Sequence, residues 1–101
     1  MQHITPDELK RQLANNAITA IDIREKWEYD EQNIGTNNIP LYEIPKRLDE
    51  LERYKEQQLV VFCRTGKRGI QAQKFLTKQG FSNVLNLEGG IEAYLNHDLI
   101  K

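Results

Sequence analysis

The residues best suited to chemistry form one short basic stretch, Cys63-Arg64-Thr65-Gly66-Lys67-Arg68, which holds the only cysteine of the chain. The apolar run 59–62 precedes this stretch, and the helix-like sequence 69–79 follows it. Cys63 is therefore expected at the end of a strand, on a loop that leads into a helix. The free N–H groups of a helix start and the neighbouring cations both attract negative charge, so the position favours a thiolate. A buried, inert cysteine is the alternative, and it would fit better if Cys63 lay within the apolar run.

The other five residues of this loop suggest how an anion would be held. Arg64, Lys67 and Arg68 either contact an anionic substrate or are solvated, as loop side chains often are. Thr65 either donates its hydroxyl to the sulfur or caps the following helix. Gly66 lets the loop curl, because glycine adopts positive φ without strain. An unperturbed cysteine is only about 3% thiolate at neutral pH, so a nucleophilic cysteine requires that these groups stabilise the anion.

A thiolate in this position would attack carbon, phosphorus or sulfur, and the spacing of the loop helps to distinguish them. Phosphatases that use cysteine place an arginine six positions after it, because a longer loop must wrap three phosphoryl oxygens. In this chain the sixth position is Gly69, and the last cation, Arg68, comes five positions after Cys63. The loop is one residue shorter, which argues against a phosphatase or an arsenate reductase.

Strands and helices alternate along the rest of the chain. Thr5-Pro6-Asp7-Glu8 combines an N-cap hydroxyl, proline at N1 and glutamate at N3, and this pattern starts a helix that runs to about residue 15. Pro45 opens a second helix, in which Leu48 and Leu51 share one face. The remaining pattern predicts strands over 18–23, 59–62 and 84–87, a helical turn over 25–31, a polar loop over 32–38, and helices over 70–79 and 91–96.

Such an alternation predicts an α/β fold with a parallel sheet that is covered on both sides. The helix over 70–79 is expected to contribute three side chains to the core, Ile70, Phe75 and Leu76. Ligands of parallel sheets bind at the carboxyl ends of the strands. Arg24, Cys63 and Glu88 all follow predicted strand ends, so we expect them to share one rim of the sheet.

With the cysteine loop placed on this framework, the sequence resembles the rhodanese family of single-domain sulfurtransferases, whose active loop reads Cys-x-x-Gly-x-Arg. The resemblance covers nearly the whole chain through an ordered set of motifs: Thr5-Pro6-Asp7-Glu8-Leu9, Ile21-Asp22-Ile23-Arg24-Glu25, Glu28-Tyr29, Asn38-Ile39-Pro40-Leu41 and Leu87-Glu88-Gly89-Gly90-Ile91-Glu92-Ala93. Each motif is weak alone, but the ordered set is specific. Residues 32–37 depart from the family's usual Gly-His-Ile-Pro-Gly, and this departure concerns a local turn and leaves the nucleophile unchanged.

The resemblance implies a rhodanese-like three-layer α/β/α domain with a central parallel sheet, formed by residues 1–101 as one domain. It also implies the reaction. The Cys63 thiolate attacks the outer sulfur of a donor such as thiosulfate, and a thiophilic acceptor (cyanide or a thiol) then takes that sulfur from the Cys63 persulfide. Such a double displacement needs no metal or organic cofactor. Arg68 matches the arginine of the family's loop. Three further charged residues are interpreted as supports that fix the loops around the site: Asp22, Arg24 and Glu28.

Size and composition agree with this interpretation. A length of 101 residues fits one domain, and shares of 39% apolar and 29% charged residues are typical of a folded globule. The formal net charge of −1 gives no general attraction to nucleic acid or to an anionic membrane. No apolar stretch reaches the ~20 residues of a membrane span. A chain with one cysteine cannot form an internal disulfide, and this favours the reducing cytoplasm as its location. One cysteine and two scattered histidines also argue against a metal site.

Two other functions share these features. A non-catalytic binding or regulatory module on the same fold typically lacks the cysteine, whereas this chain keeps it together with the basic loop. A persulfide carrier shares all the chemistry and differs only in its protein partner. The expected partners are therefore a small anionic sulfur donor such as thiosulfate, or a protein that donates or accepts sulfur.

Overall fold

The fold is built on one sheet of five parallel strands in the order β1-β5-β4-β2-β3, seen in a computed structural model that describes residues 2–100 and the side chains of residues 2–96. The strands are β1 (His3–Ile4), β2 (Thr19–Asp22), β3 (Asn37–Asn38), β4 (Gln58–Phe62) and β5 (Asn83–Leu87). The helices are α1 (Pro6–Ala14), α2 (Lys26–Glu31), α3 (Lys67–Lys78) and α4 (Gly90–Ile100), and a 3-10 segment covers Leu41–Tyr54. Within residues 2–100, no helix is both long and apolar enough to cross a bilayer.

Two apolar layers cover the sheet, one on each face. The central strand β4 shows why, because its successive side chains point to opposite faces and all but the first are buried. Leu59 and Val61 pack with α3 and the 3-10 segment, whereas Val60 and Phe62 pack with α1 and α4. The expected three-layer α/β/α architecture with a central parallel sheet is thereby confirmed.

The predicted helix starts are confirmed for α1 and shifted for α3. Thr5 caps α1, since its hydroxyl oxygen accepts the N–H of Glu8 at 3.2 Å. Helix α3 begins at Lys67, three residues before the predicted start, and its buried positions are 69, 72, 73 and 76. Ile70 lies about 100° away from that face and is 38% exposed, so its predicted place in the core is wrong. Leu76 is fully buried and Phe75 is partly buried, as predicted.

The segment after β3 differs most from the prediction. The sequence predicts an α-helix that starts at Pro45, but the chain forms a 3-10 segment over Leu41–Tyr54 with a break at Arg47 (φ −119°, ψ 23°). Proline has no N–H to donate and its ring disfavours the preceding helical turn, so no regular α-helix runs through Pro45 from Leu41; proline at a helix start does not explain the 3-10 geometry of the residues that follow it. The predicted apolar face survives, because Leu51 is buried and Leu48 packs against the core.

Candidate active site

Cys63 lies at the carboxyl end of the central strand, directly after β4, and is only 1% exposed. Its sulfur accepts two main-chain hydrogen bonds, from the N–H of Gly66 at 3.1 Å and from the N–H of Gly69 at 3.3 Å. Gly69 belongs to the first turn of α3, where N–H groups have no partner within the helix. Main-chain dipoles that converge on one atom in this way favour negative charge on the sulfur.

The loop can point its N–H groups inward because its carbonyl groups are bound elsewhere. The carbonyl oxygen of Cys63 accepts the N–H of Ile91 at 2.8 Å, and that of Arg64 accepts the N–H of Glu92 at 3.1 Å. Both donors belong to the first turn of α4. Gly90 permits this contact, since a Cβ atom there would lie 2.4 Å from the carbonyl oxygen of Arg64. Gly66 adopts φ 118° and is the N-cap of α3, so the expected curl at this glycine is confirmed.

Arg68 does not point freely into solvent. Its guanidinium donates to both carboxylate oxygens of Glu28, at 2.8 and 3.1 Å, across 40 residues of sequence. Glu28 is 12% exposed and the Arg68 side chain 34%. This hydrogen bonding lowers the pKa of Glu28 below its ordinary value of 4.5 and raises the pKa of Arg68. The pair therefore ties α2 to the first turn of α3.

The other side chains of the loop are exposed. Arg64 is 64% exposed, with Nη1 3.6 Å from Oε2 of Glu92, which is itself more than half exposed. Lys67 is exposed and has no hydrogen-bond or ion-pair partner within residues 2–96. Thr65 is exposed and does not cap α3, because the N-cap of that helix is Gly66. Of the two roles proposed for Thr65, helix capping is thus wrong.

Asp22 and Arg24 form a buried ion pair beside the loop. Nε and Nη2 of Arg24 donate to the carboxylate of Asp22 at 2.7 to 3.1 Å, and Nη2 also donates to the carbonyl oxygen of Gln32 at 2.7 Å. Asp22 is 0% exposed and Arg24 5%. The side-chain N–H₂ of Asn38 closes the arrangement by donating to the carbonyl oxygens of both residues. The pair thus joins the end of β2 to the loop that follows α2.

That loop contains the stretch 32–37, which departs from the family pattern, and it is held by its own side chains. The side chain of Asn33 accepts the N–H of Gly35 and donates to the carbonyl oxygen of Tyr29. The hydroxyl of Tyr29 in turn donates to the carbonyl oxygen of Thr36. Tyr29 therefore serves the local turn, whereas Trp27 and Tyr42 are each 64% exposed.

Two open depressions flank the cysteine loop. One, of about 460 Å³, is lined by Arg24, Trp27, Glu28, Glu31, Gln32 and Arg64. The other, of about 380 Å³, is lined by residues that include Thr65, Gly66, Lys67, Asn86 and Glu88. Arg24, Cys63 and Glu88 follow the carboxyl ends of the parallel strands β2, β4 and β5, so they share one rim, as predicted. A larger cleft of about 790 Å³ runs along the 3-10 segment, and none of the residues 63–68 lines it.

One residue at the loop was missed by the sequence prediction. Asn86 of β5 is 3% exposed, and its side-chain N–H₂ donates to the carbonyl oxygen of Gly66 at 3.1 Å. The available signal was an asparagine inside the apolar strand Val84-Leu85-Asn86-Leu87, since a buried polar residue needs a partner.

The protein is a parallel α/β domain with its single cysteine at the carboxyl rim of the sheet. Two main-chain N–H groups donate to the sulfur, and we call this arrangement the anion cradle. These features define the class of protein. Comparison with known proteins identifies the family within this class. The profile of the rhodanese-like domain matches residues 5–97. The chain therefore belongs to the rhodanese family.

The chain is similar to proteins of more than one kind. A sulfurtransferase from Allochromatium vinosum is 35% identical over 98% of this chain and 92% of its own length. The crystal structure of a rhodanese-related protein from Thermoplasma volcanium superposes with a TM-score of 0.85 at 28% identity, covering 96% of this chain and 93% of that one. A tRNA uridine(34) hydroxylase from Pelagibacter ubique is 31% identical over 94% of this chain. This chain spans only 32% of that hydroxylase.

Proposed function

We propose that the protein is a sulfurtransferase that moves sulfane sulfur from thiosulfate or a persulfide to a thiophilic acceptor through a persulfide on Cys63. The observation that carries the proposal is the pair of N–H groups, of Gly66 and Gly69, directed at the sulfur. Similarity to a sulfurtransferase over nearly the full length of both chains supports it. The hydroxylase relative does not extend the proposal to tRNA, because this chain matches less than a third of that protein.

In the first half of the reaction, the Cys63 thiolate attacks the outer sulfur of thiosulfate. A new S–S bond forms on Cys63, while the S–S bond of the donor breaks and its electron pair leaves with sulfite. In the second half, cyanide or a thiol attacks the outer sulfur of the persulfide, and the electron pair of that bond returns to Cys63 as thiolate. The main-chain N–H groups of the cradle stabilise the sulfur anion at both ends of this cycle.

The exposed cations suggest how an anionic donor is bound. Lys67 has no partner within residues 2–96, and Arg64 has only a long contact with an exposed carboxylate. We assign donor binding mainly to these two side chains. Arg68, the sequence's strongest candidate for that role, has two of its N–H groups occupied by Glu28. It contributes positive charge close to Cys63 and holds the start of α3 in place.

Mass spectrometry of the intact protein after incubation with thiosulfate tests the proposal. Wild type should gain about 32 Da, one sulfur, on Cys63, and subsequent cyanide should remove that mass. Cys63→Ser should gain nothing and should show no thiosulfate:cyanide transfer, since a serine hydroxyl is not ionised at neutral pH. A wild type that gains no sulfur, or a serine variant that retains more than a few per cent of activity, overturns the proposal.

The same experiment separates the neighbouring functions. A persulfide carrier would gain the sulfur but release it slowly to cyanide, and would need a protein that donates or accepts sulfur. A regulatory module would not turn over, and a phosphatase would hydrolyse a phosphate ester without taking up sulfur.

The single cysteine must remain a thiol for any transfer, and the reducing cytoplasm is therefore the compartment we propose.

A further inference from the structure

Asn86 has no role in the proposed mechanism, although it lies close to Cys63. It lies on β5 directly beside Val61 of β4, one strand away from the cysteine loop and on the face of the sheet that α3 covers. The side chain is 3% exposed, so it is effectively removed from water. A buried carboxamide in this environment must find hydrogen-bond partners or destabilise the fold.

Asn86 is only half satisfied. Its side-chain N–H₂ donates to the carbonyl oxygen of Gly66 at 3.1 Å. Its Oδ1 is buried without a hydrogen-bond partner within residues 2–96. That oxygen instead lies against Gly69, where a Cβ atom would come within 2.0 Å of it. The unpartnered oxygen is a cost to stability, and the hydrogen bond to Gly66 and the contact with Gly69 are the interactions that this side chain makes towards the loop.

The two glycines that Asn86 contacts are the two whose N–H groups donate to the sulfur of Cys63. We propose that Asn86 is a positioning residue of the anion cradle, which holds Gly66 through its carbonyl oxygen and sets the depth of Gly69 through direct contact. The inference rests on the proposed thiolate role of Cys63. It explains both why the sixth residue after Cys63 is glycine and why an asparagine with one unpartnered oxygen lies against that glycine.

The pH profile of Cys63 alkylation by iodoacetamide tests this role, because the thiolate is the reacting form and no sulfur donor is needed. In Asn86→Leu we expect the profile to move to higher pH by about one unit. At neutral pH, alkylation should then slow roughly five- to tenfold, while the rate under strongly alkaline conditions stays within twofold. Stability to urea should change little, since the loss of the hydrogen bond to Gly66 is offset by the removal of the unpaired oxygen. Asn86→Ala serves for the same measurement if the leucine variant does not fold.

Asn83→Leu is the matched control. Asn83 lies on the same strand and also has a buried Oδ1 without a hydrogen-bond partner within residues 2–96, but it pairs with Gln58 at the end of β4 opposite to Cys63. Its substitution should leave the alkylation profile unchanged. An Asn86 variant with the wild-type profile overturns the inference, as does an equal shift in the Asn83 variant. Failure of wild type to form a persulfide would instead refute the proposed function, which makes the two failures distinguishable.

Discussion

The ion pair between Glu28 and Arg68 can be tested by the substitution Glu28→Gln. Glutamine keeps the shape of the side chain and the capping box of α2, in which Oε1 of Glu28 accepts the N–H of Glu25 at 2.9 Å. The change therefore removes the charge that Arg68 contacts and one of the two oxygens that accept its N–H groups. Hydrogen bonds to charged groups contribute about 1.5–3 kcal/mol. Arg68 is 34% exposed and can turn to water once released, so the loss should fall at the low end, about 1.5 kcal/mol.

The pH dependence of this loss is specific to the ion pair. Because hydrogen bonding to Arg68 lowers the pKa of Glu28 below 4.5, the pair stabilises the fold above that pH, and the stabilisation is lost as the pH falls through the lowered value. Urea denaturation should therefore separate wild type and Glu28→Gln by about 1.5 kcal/mol at neutral pH, or roughly 6–12 °C in thermal midpoint. The difference should shrink as the pH falls below 4.5 and through the lowered pKa of Glu28.

Asp30→Asn provides the control on the same helix. Asp30 pairs with Lys26 at 2.9 Å, but both side chains are more than half exposed, so its replacement should cost less than about 0.5 kcal/mol. A Glu28→Gln variant that differs from wild type by no more than this control would refute the reasoning. A loss that does not shrink at any pH below 4.5 at which both proteins remain folded would refute it too, because it would show that the charge of Glu28 is not its source.

Two further predictions concern the loop and its support. Lys67→Ala should raise KM for thiosulfate about three- to tenfold with little change in kcat, and this effect should weaken as added salt screens the exposed charge. The control is Lys78→Ala, at an exposed position at the far end of α3, which should change neither parameter. Gly90→Ala should destabilise the fold by more than about 2 kcal/mol in urea titration, because backbone strain at φ 65° adds to the clash of the new Cβ atom with Arg64. The control is Gly35→Ala, which should cost only about 1 kcal/mol, because φ is 87° there but the space around the residue is open. Equal losses for the two glycines would mean that α4 does not fix the loop.

The sequence predicted the parts of this fold that depend on local pattern. Helix α1 starts where the Thr5 cap requires, and β4 is buried because residues 59–62 carry no polar alternation. The cysteine loop was placed correctly between β4 and α3 for the same reason. The strands β1 and β3 were missed because each has two residues, too few to show any periodicity, and each exists only through pairing with a distant strand.

The contacts between distant residues in the site could not be predicted from the sequence either. Nothing local to Arg68 indicates that a carboxylate 40 residues earlier will bind it, and the resemblance to a family motif favoured contact with a substrate instead. Asn86 looks like an ordinary strand residue until β5 is placed beside β4, where its side chain lies under the two glycines of the loop. These contacts follow from the order of strands in the sheet, which pattern alone does not specify.

The contacts around Cys63 divide the site into two parts with different consequences for substitution. The main chain of the loop is held from three sides: by the N–H groups of α4, by Asn86, and by the pair of Arg68 with Glu28. None of these supports uses the side chains of Arg64 or Lys67. We therefore expect changes at the two exposed cations to alter which donor is bound, measured as KM for charged against neutral donors. Changes at the supports should instead alter the reactivity of the sulfur towards every donor.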